Sequence, residues 1–313
     1  MGKEKTSDSP TRPIIAITGP TAVGKTTLSL ALAKLISGEI VSVDSRQLYK
    51  ELDIGTAKPS ADELQMAPHH FISEFSVQDP VSSGRYVNLA EQRIQEILDR
   101  GNNPILVGGS TLYLHALQHG IADIPDVDPA IREQLMARLT QEGAPKLYKE
   151  LSEVDPVAAG TMDQTKTQRL IRALEVFHGT GNPLSFYHAQ MPHPRFNYKT
   201  IVLHLDRKVL YKRIEERIDQ MLLDGLVDEV GALMGQRLDM ELPVLKTIGY
   251  REVIEHLQGM YEHAEMVRLL KRNSRRYAKR QLTWFRRFPE YNWVERNQPT
   301  ESILDSILGT LVN

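Results

Sequence analysis

Fourteen residues near the start limit what this chain can become: Ile14-Ile15-Ala16-Ile17-Thr18-Gly19-Pro20-Thr21-Ala22-Val23-Gly24-Lys25-Thr26-Thr27. The apolar opening reads as a buried strand. Gly19 to Thr26 fits G-x-x-x-x-G-K-[ST], and Leu28, Leu32 and Leu35 then recur at helical spacing. A strand, a glycine loop and a helix in that order build a phosphate site. The glycines let backbone amides turn inward around phosphate oxygens, and the helix N-terminus favours an anion. Lys25 adds a point charge and Thr26 offers a hydroxyl to Mg²⁺. A diphosphate or triphosphate is the expected ligand.

The chain then alternates strand and helix signals. A helix over about 26–37 is expected to stop at Gly38. The strand Glu39–Val43 runs into Asp44-Ser45-Arg46-Gln47. Ligands of open α/β sheets lie beyond the carboxyl ends of strands, which turns Asp44 toward the phosphate loop. Capping of a following helix is the other use for Asp44. Residues 52–68 read as loop, and His69-His70 opens a short strand, Phe71-Ile72. Neighbours on a strand face opposite ways, so the two histidines are read as packing or hydrogen-bonding residues, not one metal site. A helix over 86–100 and the strand Pro104–Val107 follow, ending in Gly108-Gly109-Ser110-Thr111.

The pattern changes near Gly120. From Pro129 to Gly179 only helix signals occur, and residues 180–198 read as a return linker. Thr200–Leu205 resumes the sheet, and the next helix carries Arg213 and Arg217, candidates for neutralising phosphate charge. Their alternative is pairing with Glu216 and Asp219 on a solvated face. The expected fold is therefore α/β, a phosphate-loop kinase-like parallel sheet flanked by helices with an inserted all-helical domain. Its core is 13–120 with 199–313, the insertion is 121–198, and 1–12 is a disordered tail.

Composition narrows the function. The 313 residues contain no cysteine, which excludes disulfides, thiolate zinc sites and a cysteine nucleophile, and suits a cytoplasmic setting. No apolar run approaches the ~20 residues of a membrane span, so no membrane partner is expected. A net charge of −2 makes any nucleic-acid surface local. One such tract exists: Val267–Phe288 holds nine Lys or Arg and no acid, with Tyr277, Trp284 and Phe285 interleaved. That is the footprint of a phosphodiester backbone, or else a solvated helix face. A kinase, an RNA-stimulated ATPase and an enzyme releasing pyrophosphate all remain compatible with these residues.

Several blocks resemble the bacterial tRNA dimethylallyltransferase family: Gly19–Thr26, Val43-Asp44-Ser45-Arg46-Gln47-Leu48-Tyr49, and the specific Asp53-Ile54-Gly55-Thr56-Ala57-Lys58-Pro59. His69-His70, Val107–Tyr113, Gln168–Glu175 and Arg276–Phe285 extend the likeness over residues 13–294. The resemblance implies transfer of a dimethylallyl group from dimethylallyl diphosphate to N6 of adenine 37 in a tRNA anticodon stem-loop, by a monomer using Mg²⁺. It implies that Gly19, Thr21, Ala22, Val23, Gly24, Lys25, Thr26 and Arg213 hold the diphosphate, with Thr26 on the metal. Asp44 becomes the general base, with Ser110 and Arg217 as further catalytic residues. RNA contacts are implied for Asp44, Ser45, Arg46, Gln47, Ser110, Arg132, Gln168, Arg169, Leu170, Ile171 and Arg172. The same holds for Lys246, Thr247, Ile248, Gly249, Tyr250 and Arg251. Ser110 stands where the family has threonine, and Met162–Thr167 departs from the family's His-Pro-Asn-Asp-Pro. The related alternative is a prenyltransferase acting on free AMP or ADP.

Overall fold

The central strand, β1 (Ile14–Thr18), is buried over all five residues. It lies between two parallel neighbours, with Ile17 opposite Val107 on one side and Ile201 on the other. A strand covered on both faces needs the continuous apolar run found there. The computed structural model describes residues 13–236 and 238–312. The expected tail at 1–12 lies outside the described residues.

After β1 come α1 (Lys25–Ile36), β2 (Gly38–Val43), α2 (Ala61–Met66), β3 (His69–His70), α3 (Ser83–Asp99), β4 (Asn103–Gly108) and α4 (Thr111–His119). Five helices follow: α5 (Pro129–Glu142), α6 (Ala144–Val154), α7 (Pro156–Thr161), α8 (Thr167–Thr180) and α9 (Leu184–Ala189). The sheet resumes with β5 (Tyr198–His204), then α10 (Arg207–Leu223), α11 (Leu226–Met234), α12 (Tyr250–Leu257), α13 (His263–Phe285), β6 (Asn292–Glu295) and α14 (Thr300–Val312). All six strands are parallel, in the order β3-β2-β4-β1-β5-β6. The chain leaves β1 for one side of the sheet and returns on the other, which opens a ligand crevice at the strands' carboxyl ends.

Two compact units result, one ending at Gln118 and resuming at Arg195, the other spanning His119–Pro194. The first is cored by the sheet and by an aromatic stack: Tyr86 lies 4.1 Å from Tyr113, and its hydroxyl donates to Ser42 O at 2.8 Å. The second has its own core of Leu135, Leu147, Leu151, Ala159, Leu170, Ile171, Ala173 and Leu174. Among the described residues no helix is long and apolar enough to cross a membrane.

Local boundaries differ from the sequence reading for identifiable reasons. Ser37, not Gly38, takes the left-handed cap of α1 at φ 50°. Gly38 already belongs to β2, where a Cβ would meet Ile105 Cδ1 at 2.6 Å. Leu35 is 58% exposed; the buried face runs through Leu28, Leu30, Leu32 and Ala33. The short strand is His69–His70 itself, because Phe71 turns left-handed at φ 65°. The segment 52–68 contains α2, started by a reciprocal cap between Ser60 and Glu63 that the apolar pattern did not advertise. The linker 180–198 contains α9.

Candidate active site

The phosphate loop is set by backbone that only glycine tolerates. Gly19 has φ 143°, and a Cβ there would lie 2.5 Å from Leu203 O. Gly24 starts α1 at φ 95°. No acidic residue occupies the first turn of α1, so nothing there opposes an anion. Lys25 folds over its own loop and donates to Gly19 O at 3.1 Å and Pro20 O at 3.0 Å. Burial, and then the nearby Arg217 guanidinium, push its pKa down to about 8 against the pull of Asp44. Thr21 donates its N–H to Gln281 Oε1 at 3.0 Å. Val23 is fully buried and offers the loop backbone only, while Ala22 holds φ 62°. Thr26 borders a small cavity with Ser29, Ser42, Gln47 and His69.

Beside the loop, β2 and β4 end together, Val43 opposite Gly108. Asp44 and Ser110 follow from these ends, and Ser110 N donates to Val43 O at 3.1 Å. One Asp44 oxygen accepts from Arg46 N at 2.9 Å and Gln47 N at 3.4 Å. It therefore closes a turn, since residues 45–48 are not helical. The Asp44 charge reaches both Lys25 and Arg217, where it opposes the lowering of their pKa values. Burial lowers the Arg217 pKa, with Asp44 opposing. Arg213 is exposed, and a methyl at Gly24 would come 4.0 Å from its Nη1. Glu216 pairs with Lys212 and Asp219 with Lys271, so the acids proposed as alternative partners are engaged elsewhere.

The remaining candidates divide by exposure. Arg46 donates to Ser45 O at 3.0 Å. Gln47 is an internal brace, donating to Ala57 O at 3.0 Å and accepting from Ser42 Oγ at 3.3 Å. Lys246 pairs with Glu241, while Thr247 and Ile248 are half-buried. Gly249 begins α12 at φ 102°. Tyr250 is fully buried, and its hydroxyl donates to Glu229 Oε1 at 2.6 Å, so its ring serves packing. Arg251 donates to Glu252 at 2.7 Å. In the helical unit, Leu170 and Ile171 belong to the core. Their neighbours make a surface cluster: Arg132 donates to Gln168 Oε1 at 2.8 Å and to Glu175 Oε2 at 3.0 Å, and Arg172 approaches Glu175 at 3.3 Å. Arg169 is exposed beside them.

The basic tract is α13 and its exit. Arg268, Lys271 and Arg275 pair with Glu265, Asp219 and Glu215. Arg276, Lys279, Arg280 and Arg287 line a cavity of about 480 Å³ with Thr283 and Trp284. Phe285 is fully buried and anchors the helix.

Two residues escaped the sequence reading. Glu229 accepts the amides of Asp53, Ile54 and Gly55 at 3.2, 2.7 and 3.2 Å, which fixes the Asp-Ile-Gly-Thr block; its helical context carried no signal. Gln281 did leave one, a polar residue in the apolar seam of Ala278 and Phe285. Among the described residues no group of three or more His, Asp or Glu could cage a metal.

A parallel six-stranded sheet with a glycine-lysine loop between β1 and α1 defines a protein of phosphate-loop-like fold. The chain belongs to the IPP transferase family, whose sequence pattern matches residues 47–288. A tRNA dimethylallyltransferase of Salinibacter ruber is 58% identical over 282 residues, 90% of this chain and 87% of that protein. One from Chlorobium chlorochromatii is 41% identical, covering 93% of this chain and 96% of the other. The crystal structure of the full-length tRNA isopentenylpyrophosphate transferase of Bacillus halodurans aligns with TM-score 0.71 at 38% identity, over 96% of this chain and 97% of that one. A eukaryotic dimethylallyltransferase acting on tRNA aligns with TM-score 0.77 at 26% identity, over 91% of this chain and 74% of that one. These relatives favour the tRNA-directed reading over an adenylate prenyltransferase, a kinase or an ATPase.

Proposed function

We propose that this protein transfers a dimethylallyl group from dimethylallyl diphosphate to N6 of adenine 37 in tRNA, releasing pyrophosphate. The observation carrying the reading is Asp44 beside the cradle of Lys25 and Arg217: a proton acceptor for the nucleophile next to cations for a leaving group. Adenine N6 is a weak nucleophile, because its lone pair is delocalised into the ring. Asp44 accepts a hydrogen bond from N6 and takes the proton as the new C–N bond forms. The allylic C–O bond breaks, and its electron pair leaves on the diphosphate. Amides of the phosphate loop, Lys25 and Arg217 meet that charge, with Arg213 at the loop's edge. Ser110 is assigned a hydrogen bond on the adenine side.

The donor set suits Mg²⁺, which is commonly held by few protein oxygens, substrate phosphates and water. Thr26 Oγ1 would hold it, and the ion would supply charge neutralisation to the leaving diphosphate. RNA contacts are assigned to polar members of the candidate segments, the exposed Gln168, Arg169, Lys246 and Arg251 and the half-buried Ser45, Arg46, Arg132 and Arg172, and to the α13 cations. A cytoplasmic, monomeric enzyme is the form proposed.

The test is incubation with dimethylallyl diphosphate, Mg²⁺ and an unmodified anticodon stem-loop. One adenosine, the one 3′ to the anticodon, should gain the mass of a single isoprene unit. Modification of free AMP at the same rate as RNA would replace tRNA as substrate.

A further inference from the structure

Gln281 is 3% exposed on α13, between the buried Ala278 and Phe285. A primary amide at such a place is costly unless both ends are satisfied. Both are. Oε1 accepts from Thr21 N at 3.0 Å, and Nε2 donates to Gly109 O at 2.8 Å. The two partners fix which way the amide faces, since a flip would set NH₂ against an N–H and oxygen against oxygen.

The peptide unit between Pro20 and Thr21 is thereby clamped from two sides. Its carbonyl accepts from Lys25 Nζ at 3.0 Å and its N–H is held by Gln281. Lys25 and Gln281 thus hold the carbonyl and the N–H of one peptide unit from opposite ends. The other end of the amide lies against a backbone with no room to spare. A Cβ on Gly109 would sit 2.5 Å from Gln281 Nε2 and 3.4 Å from Gly19 O. Phosphate loop, Gly109 and Gln281 thus meet at one point, one residue before Ser110.

We infer that Gln281 is a positioning residue that sets the diphosphate cradle at a fixed spacing from the Gly109–Ser110 strand end. The role rests on the diphosphate reading of the loop. Gln281 touches no reacting atom; it acts through Thr21 and Gly109. Because α13 also carries the cation-lined cavity, the helix that faces RNA and the helix that braces the phosphate loop are the same element.

The test uses the full-length protein with inorganic pyrophosphate and Mg²⁺ as probe, alongside prenyl transfer to a stem-loop. Gln281→Met keeps the volume and removes both hydrogen bonds. It is expected to lose about tenfold in pyrophosphate affinity and to lower kcat, with KM for the stem-loop near wild type. Gln281→Glu supplies a second, independent readout. Ionised, it repels Gly109 O and the diphosphate; protonated, it donates to Gly109 O and accepts from Thr21 N–H as glutamine does. Its pyrophosphate affinity relative to wild type should therefore recover as pH falls, and this ratio decides the matter if Gln281→Met does not fold. Wild-type affinity and kcat in Gln281→Met, or no acid recovery in Gln281→Glu, would assign Gln281 to packing alone. A wild-type protein that ignores pyrophosphate would overturn the diphosphate reading, and the role of Gln281 with it.

Discussion

Asp44 divides its carboxylate between two tasks. One oxygen fixes the turn that follows β2 through Arg46 N and Gln47 N, and the proposed reaction asks the same carboxylate to take the N6 proton. Asp44→Asn keeps an oxygen for the turn and removes the proton acceptor. It is expected to lower kcat by roughly 10²–10⁴-fold while stem-loop affinity stays within a small factor. Retained turnover would remove Asp44 from the chemistry. Lys25 adds a pH signature. With its pKa near 8, the ammonium discharges as pH rises through that value, so pyrophosphate affinity should fall there. Titration calorimetry should show proton uptake on binding at pH 8–9, absent in Lys25→Met. The sign for stability is the opposite. The folded pKa lies below the free value of 10.5, so the unfolded chain holds the extra proton between the two, and the cost of burying Lys25 shrinks as pH rises through that window. The geometry of the glycine loop was legible because G-x-x-x-x-G-K-T encodes a strand–turn–helix backbone directly. Tyr250 shows what was not: its block pointed to RNA, but the burial of its ring and its bond to Glu229 depend on partners over twenty residues away.

Elements are held at their ends by carboxylates, one buried and one half-buried. Glu39, at the start of β2, accepts from Arg100 Nε and Nη2 at 2.7 and 2.6 Å, from Asn102 at 2.7 Å, and contacts His70 Nε2 at 2.6 Å. Chiefly the Arg100 hydrogen bonds, against the opposing effect of burial, hold its carboxyl at about 2. Its stabilising contribution is thus complete above the ordinary carboxylate value of 4.5 and is lost as pH falls toward 2. Glu39→Ala removes the carboxylate shared by Arg100, Asn102 and His70 and should lower stability in chemical denaturation at neutral pH, with the loss fading as pH falls from 4.5 toward 2. A change below about 0.5 kcal/mol would show that the cluster merely fills space. Glu229 does the same for 53–55, and Glu229→Ala should expose that turn to faster amide exchange while the sheet keeps its protection. Continuous apolar runs found β1, β2, β4 and β5, and apolar residues at helical spacing found the helices of 129–179, because burial leaves each a regular trace. It missed α2 and α9, six residues each with none buried, since neither presents an apolar face; α2 is started by the Ser60–Glu63 cap.

At the scale of the whole molecule, charge is apportioned sharply. The chain is nearly neutral at −2, yet four cations line one cavity on α13. Replacing Arg276, Lys279 and Arg280 with glutamine should weaken stem-loop binding and flatten its salt dependence, by about 0.7–0.9 in log–log slope for each phosphate no longer neutralised. An unchanged slope would place the RNA elsewhere. The insertion has a core of its own, so Arg132→Ala should reduce RNA affinity without lowering the stability of the sheet unit. One measurement bears on the whole account. In a single turnover with labelled dimethylallyl diphosphate, RNA and ATP present together, pyrophosphate release should match prenylated adenosine one for one, with ATP intact. Phosphate appearing from ATP while the RNA stays unmodified would contradict it.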